Sequence, residues 1–215
     1  MNSNSIIIVP YRNRASHLAQ FLSHMAIHHP GLPICIVEQS VDKPFNRGKL
    51  LNIGFLENPG YRYYIFHDVD MLPVKVNYNI TYNAPVVQLA RSEIQLFEYL
   101  GGVTRFGYKG FKNAGGYHND YFSRAEDNEM RFNLKRLLIG VIEKPGVFTF
   151  LDHERNGPEF DPVLFNRAQK KREVQNQLSV CTYRLLETKT FDRVKHITAA
   201  LVVLFLVSIL PHLPT

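Results

Sequence analysis

The sequence predicts an α/β fold on a mostly parallel sheet, and three observations predict it. Short β-branched runs alternate with amphipathic segments through the first third of the chain. Gly- and Pro-rich turns separate them. Charged and polar residues collect just after the strand-like runs, where sheets of this kind bind their ligands.

Residues 5–10 (SIIIVP) are continuously apolar, the pattern of a strand buried on both faces. Residues 15–28 read as a helix, because Leu18, Phe21, Leu22 and Met25 recur at three- and four-residue spacing. Pro30, Gly31 and Pro33 end it. A second strand follows at 34–38, then a second helix at 48–56, closed by the turn Asn58-Pro59-Gly60, then a third strand at 61–67. Residues 74–119 are rich in Gly, Asn and Tyr and read as irregular binding loops on a rigid scaffold. Beyond them the pattern gives a helix over 126–138, a strand over 146–151, a basic helix over 162–177, and strand-like runs at 180–186 and 196–206.

A chain of 215 residues that is 45% hydrophobic and 20% charged can bury a full core as one compact domain. The formal charge of +6 suits an anionic ligand such as a nucleotide diphosphate, and equally nucleic acid or a membrane surface. No nucleic-acid-binding motif accompanies it, so no nucleic acid partner is expected. The basic run 167–172 reads as a solvated helix face. Cys35 and Cys181 sit in apolar surroundings, where a thiol packs as a small hydrophobe; spacing alone leaves a disulfide between them open. The first residues show no charged segment followed by a long apolar one, so no N-terminal signal or anchor is expected and a cytoplasmic setting is the default. Residues 197–210 are almost wholly apolar but fall short of the roughly 20 residues of a membrane-spanning helix. They read as a buried strand followed by a hydrophobic tail, a short tail anchor being the alternative.

The chemistry gathers around Phe66-His67-Asp68-Val69-Asp70-Met71-Leu72-Pro73. Alternation at a strand end places Asp68 and Asp70 on one side. Two carboxylates there repel unless a cation joins them, and oxygen ligands suit Mn²⁺ or Mg²⁺ bridging to a diphosphate. Val9-Pro10-Tyr11-Arg12-Asn13-Arg14 closes the first strand with two arginines, and Phe45-Asn46-Arg47-Gly48-Lys49 opens the second helix with an aromatic ring and cations. Arginine forks and helix N-termini both favour phosphate, and Phe45 is able to stack on a base.

These blocks (VPYRNR, FNRGKLLNIGF, FHDVDMLP and, further on, YLGGV) resemble in order the signature blocks of the β-1,4-galactosyltransferase family, glycosyltransferase family 7. The resemblance runs from about Ile6 to Ala200, more specific in the first half. It implies a GT-A fold: a Rossmann-like nucleotide-binding half, about 1–73, fused to a donor- and acceptor-binding half, about 74–206, with residues 207–215 as a hydrophobic tail. It implies inverting transfer of a sugar from a UDP-sugar to a carbohydrate or glycoconjugate acceptor with a divalent metal. By position, Pro10, Tyr11, Arg12 and Arg14 line the nucleotide site, and Phe45 and Arg47 hold uracil and phosphates. Asp68, with Val69 beside it, approaches the ribose, and Asp70 binds the metal. Gly101 and Gly102 let the backbone approach the donor sugar. Tyr99 shapes the donor pocket, and a bulky residue there goes with galactose rather than N-acetylgalactosamine. Relatives work in the Golgi lumen.

The catalytic block departs from the family. The expected Trp- and Gly-rich stretch is replaced by Tyr121-Phe122-Ser123-Arg124-Ala125, and the chain holds no Trp. Glu126-Asp127 preserve the acidic pair, with Asp127 matching the general base and Glu126 the residue that holds the acceptor. The family's Met and His three residues apart become Phe150 and His153; Phe cannot ligate a metal, whereas His153 can, and Asp152 is available beside it. Two further readings stand beside the enzyme. One is a non-catalytic nucleotide-sugar or carbohydrate-binding protein on a degenerate GT-A fold. The other is a nucleic-acid or membrane-surface protein resting on charge alone.

Overall fold

The computed structural model describes residues 4–40, 43–78, 84–90, 100–121, 125–152, 162–170 and 173–202. The first third follows the expected alternation: β1 (Ser5–Tyr11), α1 (Ala15–His28), β2 (Ile34–Gln39), α2 (Arg47–Leu56) and β3 (Tyr63–His67). β1 lies between β2 and β3 and is parallel to both. Its residues alternate between two cores. Ile6 and Ile8 join the core under α2, with Leu50, Leu51, Ile53 and Phe55. Ile7 and Val9 join the core under α1, with Phe21 and Met25. Burial on both faces is why this strand is apolar without interruption.

The segment 74–119 is not the irregular stretch expected from its composition. β4 (Met71–Lys75) runs into it, and β5 (Val86–Ala90), β6 (Val103–Gly107) and α3 (Tyr108–Asn113) lie inside it. β6 pairs antiparallel with β3 and β5 antiparallel with β6. These strands are short, and their Gly and polar neighbours mask them in a reading by composition. The remaining elements are α4 (Glu126–Arg136), β7 (Val141–Glu143), β8 (Val147–Phe150), α5 (Pro162–Lys170), β9 (Tyr183–Phe191) and β10 (Val194–Leu201).

The main sheet has eight strands in the order β7-β5-β6-β3-β1-β2-β10-β9, and β4 pairs with β8 in a second, two-stranded sheet. The centre of the main sheet is parallel, and so is the β5–β7 pair at one edge. β10 lies parallel to β2, whereas β9 is antiparallel to β10. Strands from later in the sequence flank the first three on both sides.

The basic helix ends at Lys170 rather than 177. Gln177 is instead drawn into a buried contact, its N–H donating to the Gly115 carbonyl at 2.8 Å. Cys35 and Cys181 are both free thiols, so no disulfide joins them. Among the described residues no helix is long and apolar enough to cross a membrane. Residues 203–215, which include the tail, lie outside the described residues.

Candidate active site

The β3–β4 turn presents the two aspartates. β3 stops at His67 and β4 starts at Met71, and the Met71 N–H donates to the Asp68 carbonyl at 3.3 Å. The expected strand alternation is thereby corrected: a turn, not a strand end, carries both carboxylates. Val69 between them is 5% exposed and belongs to the core under α1.

Each carboxylate meets its own arginine. Arg14, just before α1, places NH1 3.0 Å from Asp70 Oδ2. Arg47, the first residue of α2, donates from Nε to Asp68 Oδ1 at 2.7 Å, and its NH1 stands 3.5 Å from Glu126 Oε1. The start of α2 is fixed by Asn46, whose side chain accepts from the Lys49 N–H at 2.9 Å. Lys49 itself is buried and donates to the Val202 carbonyl at 2.7 Å, which takes it away from any phosphate.

Gly48 brings the acidic pair to this helix start. A Cβ there would lie 3.0 Å from Tyr117 Cβ and 3.2 Å from Glu126 Cβ, so only glycine admits this approach. Asn52, one turn on, holds both backbone groups of Tyr117, accepting from its N–H at 2.9 Å and donating to its carbonyl at 2.8 Å. Asn52 also donates to the Asn119 side chain at 3.0 Å, and Asn119 donates to the Gln177 carbonyl at 2.7 Å.

Glu126 and Asp127 open α4, where acidic side chains favour the helix dipole. Ala125 before them holds a φ of +138°, strained for any side-chain-bearing residue. Burial pushes the Glu126 carboxyl upward, Asp127 beside it adds to the rise, and the Arg47 guanidinium opposes it. Burial raises Asp127 as well, again against Arg47. Two neighbouring carboxyls in a partly desolvated site resist double ionisation. Tyr117 is buried, and its hydroxyl has no hydrogen-bond partner among the described residues.

The other expected residues divide. Arg12 stacks its guanidinium over the Phe45 ring at 5.4 Å and donates to the Lys43 carbonyl. Pro10 and Tyr11 are buried in β1, so their side chains pack inside the sheet rather than lining an open surface. Gly101 is buried beside Gly102. Gly102 has a φ of +80°, and a Cβ there would meet the Ala90 carbonyl oxygen at 2.8 Å. Its own carbonyl accepts from the Asp68 N–H at 3.3 Å, so this glycine supports the turn. Tyr99 and His153 lie outside the described residues. The chain just ahead of His153 does run beside Asp70: Leu151 N–H donates to the Asp70 carbonyl at 2.8 Å. Phe150, opposite Met71 on β4, is 42% exposed.

Among the described residues no three His, Cys, Asp or Glu side chains cluster as a metal site, yet the charge of the site suits a divalent cation. Four carboxyl groups (Asp68, Asp70, Glu126, Asp127) meet two guanidiniums (Arg14, Arg47), an excess of negative charge that a hard cation offsets. Asp70 lies on the turn with its side chain 20% exposed. Sequence reasoning missed Gly48, Asn52, Tyr117 and the buried histidine at the end of β3. His67 is fully buried, and burial pushes its pKa down to about 4. Only Gly48 and Asn52 left a signal, as unexplained small and polar residues inside an otherwise apolar helix.

Comparison with known proteins completes the picture. The catalytic domain of Drosophila β1,4-galactosyltransferase 7, solved with xylobiose, matches with a TM-score of 0.80 and 23% identity over 93% of this chain and 94% of that one. A mutant of that enzyme was solved with manganese, UDP-Gal and xylobiose. Glucosyl-3-phosphoglycerate synthase from Mycobacterium tuberculosis, with Mn²⁺ and UDP, matches more distantly at a TM-score of 0.52. The architecture is therefore that of a GT-A glycosyltransferase. In sequence, the family model for the N-terminal region of glycosyl transferase group 7 matches residues 1–84. β-1,4-Galactosyltransferase 4 of Mus musculus is 31% identical over 206 residues, and the human β-1,4-galactosyltransferase 1 is 27% identical over 215. The chain is similar to the β-1,4-galactosyltransferases over most of its length. It spans 59% of the length of the mouse relative and 53% of the human one.

Proposed function

We propose that the chain is an inverting, metal-dependent galactosyltransferase that moves galactose from UDP-galactose to a carbohydrate hydroxyl, with residues 1–206 acting as one catalytic domain. The observation that carries this reading is the joining of the β3–β4 turn to the acidic pair through one arginine, Arg47, which contacts both Asp68 and Glu126. That geometry sets a donor-binding turn beside a candidate base. Arg14, Arg47 and the start of α2 supply positive charge for the diphosphate, and Phe45 with Arg12 forms a platform for the base. Asp70, with His153, would hold Mn²⁺, which when bound neutralises the charge on the diphosphate leaving group. Asp127 takes the proton from the acceptor hydroxyl as its oxygen bonds to the anomeric carbon and the bond to UDP breaks. Glu126 orients the acceptor. By the family resemblance, the bulk of Tyr99 would favour galactose over N-acetylgalactosamine.

The test is turnover of a panel of UDP-sugars with and without Mn²⁺, together with UDP binding by the Asp70→Ala variant. UDP-galactose should be the preferred donor, and the Asp70 variant should stay folded but lose Mn²⁺-dependent UDP binding. The Arg14–Asp70 pair is partly exposed, so its loss costs the fold about 1 kcal/mol or less. Equal use of UDP-galactose and UDP-N-acetylgalactosamine overturns the donor assignment, and unchanged UDP binding by Asp70→Ala overturns the metal assignment.

A second reading has its own support. Phe150 stands where a ligating side chain was expected, and its ring is half exposed beside the Asp70 turn. Such a site binds a nucleotide sugar or a carbohydrate without transferring it. Binding of UDP with no turnover on any acceptor supports that reading.

A further inference from the structure

The ring of His67 is fully buried where β3 meets the aspartate turn, packed near Phe21 at 5.1 Å and Phe148 at 6.0 Å. It makes two polar contacts. Nδ1 lies 2.8 Å from the Asp68 carbonyl oxygen, and Nε2 lies 2.8 Å from the hydroxyl of Tyr78, itself 3% exposed. A carbonyl oxygen only accepts, so Nδ1 must carry the hydrogen. In a neutral ring Nε2 then holds the lone pair, and the Tyr78 hydroxyl donates to it. The same Asp68 carbonyl also receives the Met71 N–H that closes the turn. Both lone pairs of that oxygen are therefore engaged, and the peptide linking Asp68 to Val69 is held from two sides. Rotation of this peptide would swing both aspartates away from Arg47 and Arg14.

We propose that His67 is a positioning residue of the donor site: its Nδ1–H, completed on the far side of the ring by the Tyr78 hydroxyl, fixes the peptide that aims Asp68 and Asp70. The inference rests on the reading of this turn as the site for the donor's diphosphate. His67 touches no substrate and acts only through the turn. The geometry resembles the outer partners that orient ligands at metal sites, whose loss typically weakens binding by tenfold or more.

Two measurements test it. The first is the tautomer of His67 in the unmutated, ligand-free protein, read by ¹⁵N–¹H multiple-bond NMR. The Nδ1–H form is expected, and the Nε2–H form overturns the proposal without any variant having to fold. The second compares His67→Asn with His67→Gln by calorimetry of UDP in the presence of Mn²⁺. The Asn amide nitrogen reaches the place of Nδ1 and keeps the bond to the Asp68 carbonyl, whereas the Gln amide reaches the place of Nε2 and does not. His67→Gln should weaken UDP binding about 10-fold. His67→Asn should stay within about 3-fold of the unmutated protein. Both variants lose one buried hydrogen bond, so their melting temperatures should fall alike and the split in affinity has no origin in stability. Tyr78→Phe, the mildest change, keeps the His67 ring and its bond to the Asp68 carbonyl and should also stay within about 3-fold. Equal UDP affinity of the Asn and Gln variants overturns the inference and leaves the donor site standing. No Mn²⁺-dependent UDP binding by the unmutated protein overturns the donor-site reading and, with it, the role of the turn.

Discussion

Asp127 and Glu126 are neighbours in sequence yet are asked to do different things, and the surroundings separate them. Glu126 is 7% exposed and faces Arg47, whereas Asp127 is half-buried. Asp127→Asn keeps the shape of the side chain but removes its ability to take a proton. It should lower kcat by about 10²–10⁴-fold while UDP binding stays near normal, and Glu126→Gln should act mainly on acceptor KM. Steady-state kinetics beside calorimetry of UDP checks both. The same residues make stability depend on pH. Burial raises the Glu126 carboxyl in the folded state above its ordinary value of 4.5, so the folded chain holds that proton more tightly than the unfolded one. Its contribution is fully present below the unfolded pKa and is lost as pH rises through the raised folded value. The melting temperature of the ligand-free protein should therefore fall across that window more steeply than that of Glu126→Gln. Parallel curves for the two proteins would remove Glu126 as the cause.

At the scale of elements, α2 organises the site. Its first residue, Arg47, bridges the aspartate turn and α4, and its buried residues Leu50, Leu51 and Ile53 fix it to the sheet. The amphipathic spacing of α1 was legible in sequence because one face is exposed. That of α2 was not, because it is buried nearly all round, Lys49 and Asn52 included. Gly48 packs closely against the start of α4. In Gly48→Ala the new methyl would press on Tyr117 Cβ at 3.0 Å and Glu126 Cβ at 3.2 Å, and these neighbours must give by a few tenths of an ångström. Overpacking of this kind costs about 1–3 kcal/mol. The loss should appear both as a lower melting temperature and as a fall in kcat, because Glu126 moves relative to Arg47. A variant as stable and as active as the unmutated protein would show that α4 is not held by this contact.

Across the whole molecule, the parallel core β3-β1-β2 is enclosed by strands that come later in the chain. β6 covers the free edge of β3, and β10 covers the free edge of β2. Lys43 and Lys49 fasten the end of β10 by donating to the Leu201 and Val202 carbonyls. A fragment of residues 1–84, the part matched by the family model, therefore exposes the two strand edges that β6 and β10 cover. It should lack a cooperative thermal transition and should aggregate, as circular dichroism and light scattering will show. What the sequence by itself determined was local: the runs that make β1, α1, β2, α2 and β3, and the motif blocks that carry Asp68, Asp70, Arg14, Arg47, Glu126 and Asp127. Periodicity and motif spacing are properties of neighbouring residues, so they survive in one dimension. The tertiary structure alone decided which arginine meets which aspartate, that a turn rather than a strand end presents them, that Pro10, Tyr11 and Val69 pack inside, and that His67 is buried against Tyr78. Those outcomes depend on contacts between residues far apart in sequence, such as Arg14 and Asp70, 56 positions apart, and on the cost of burying each polar group without a partner, which only the folded chain sets.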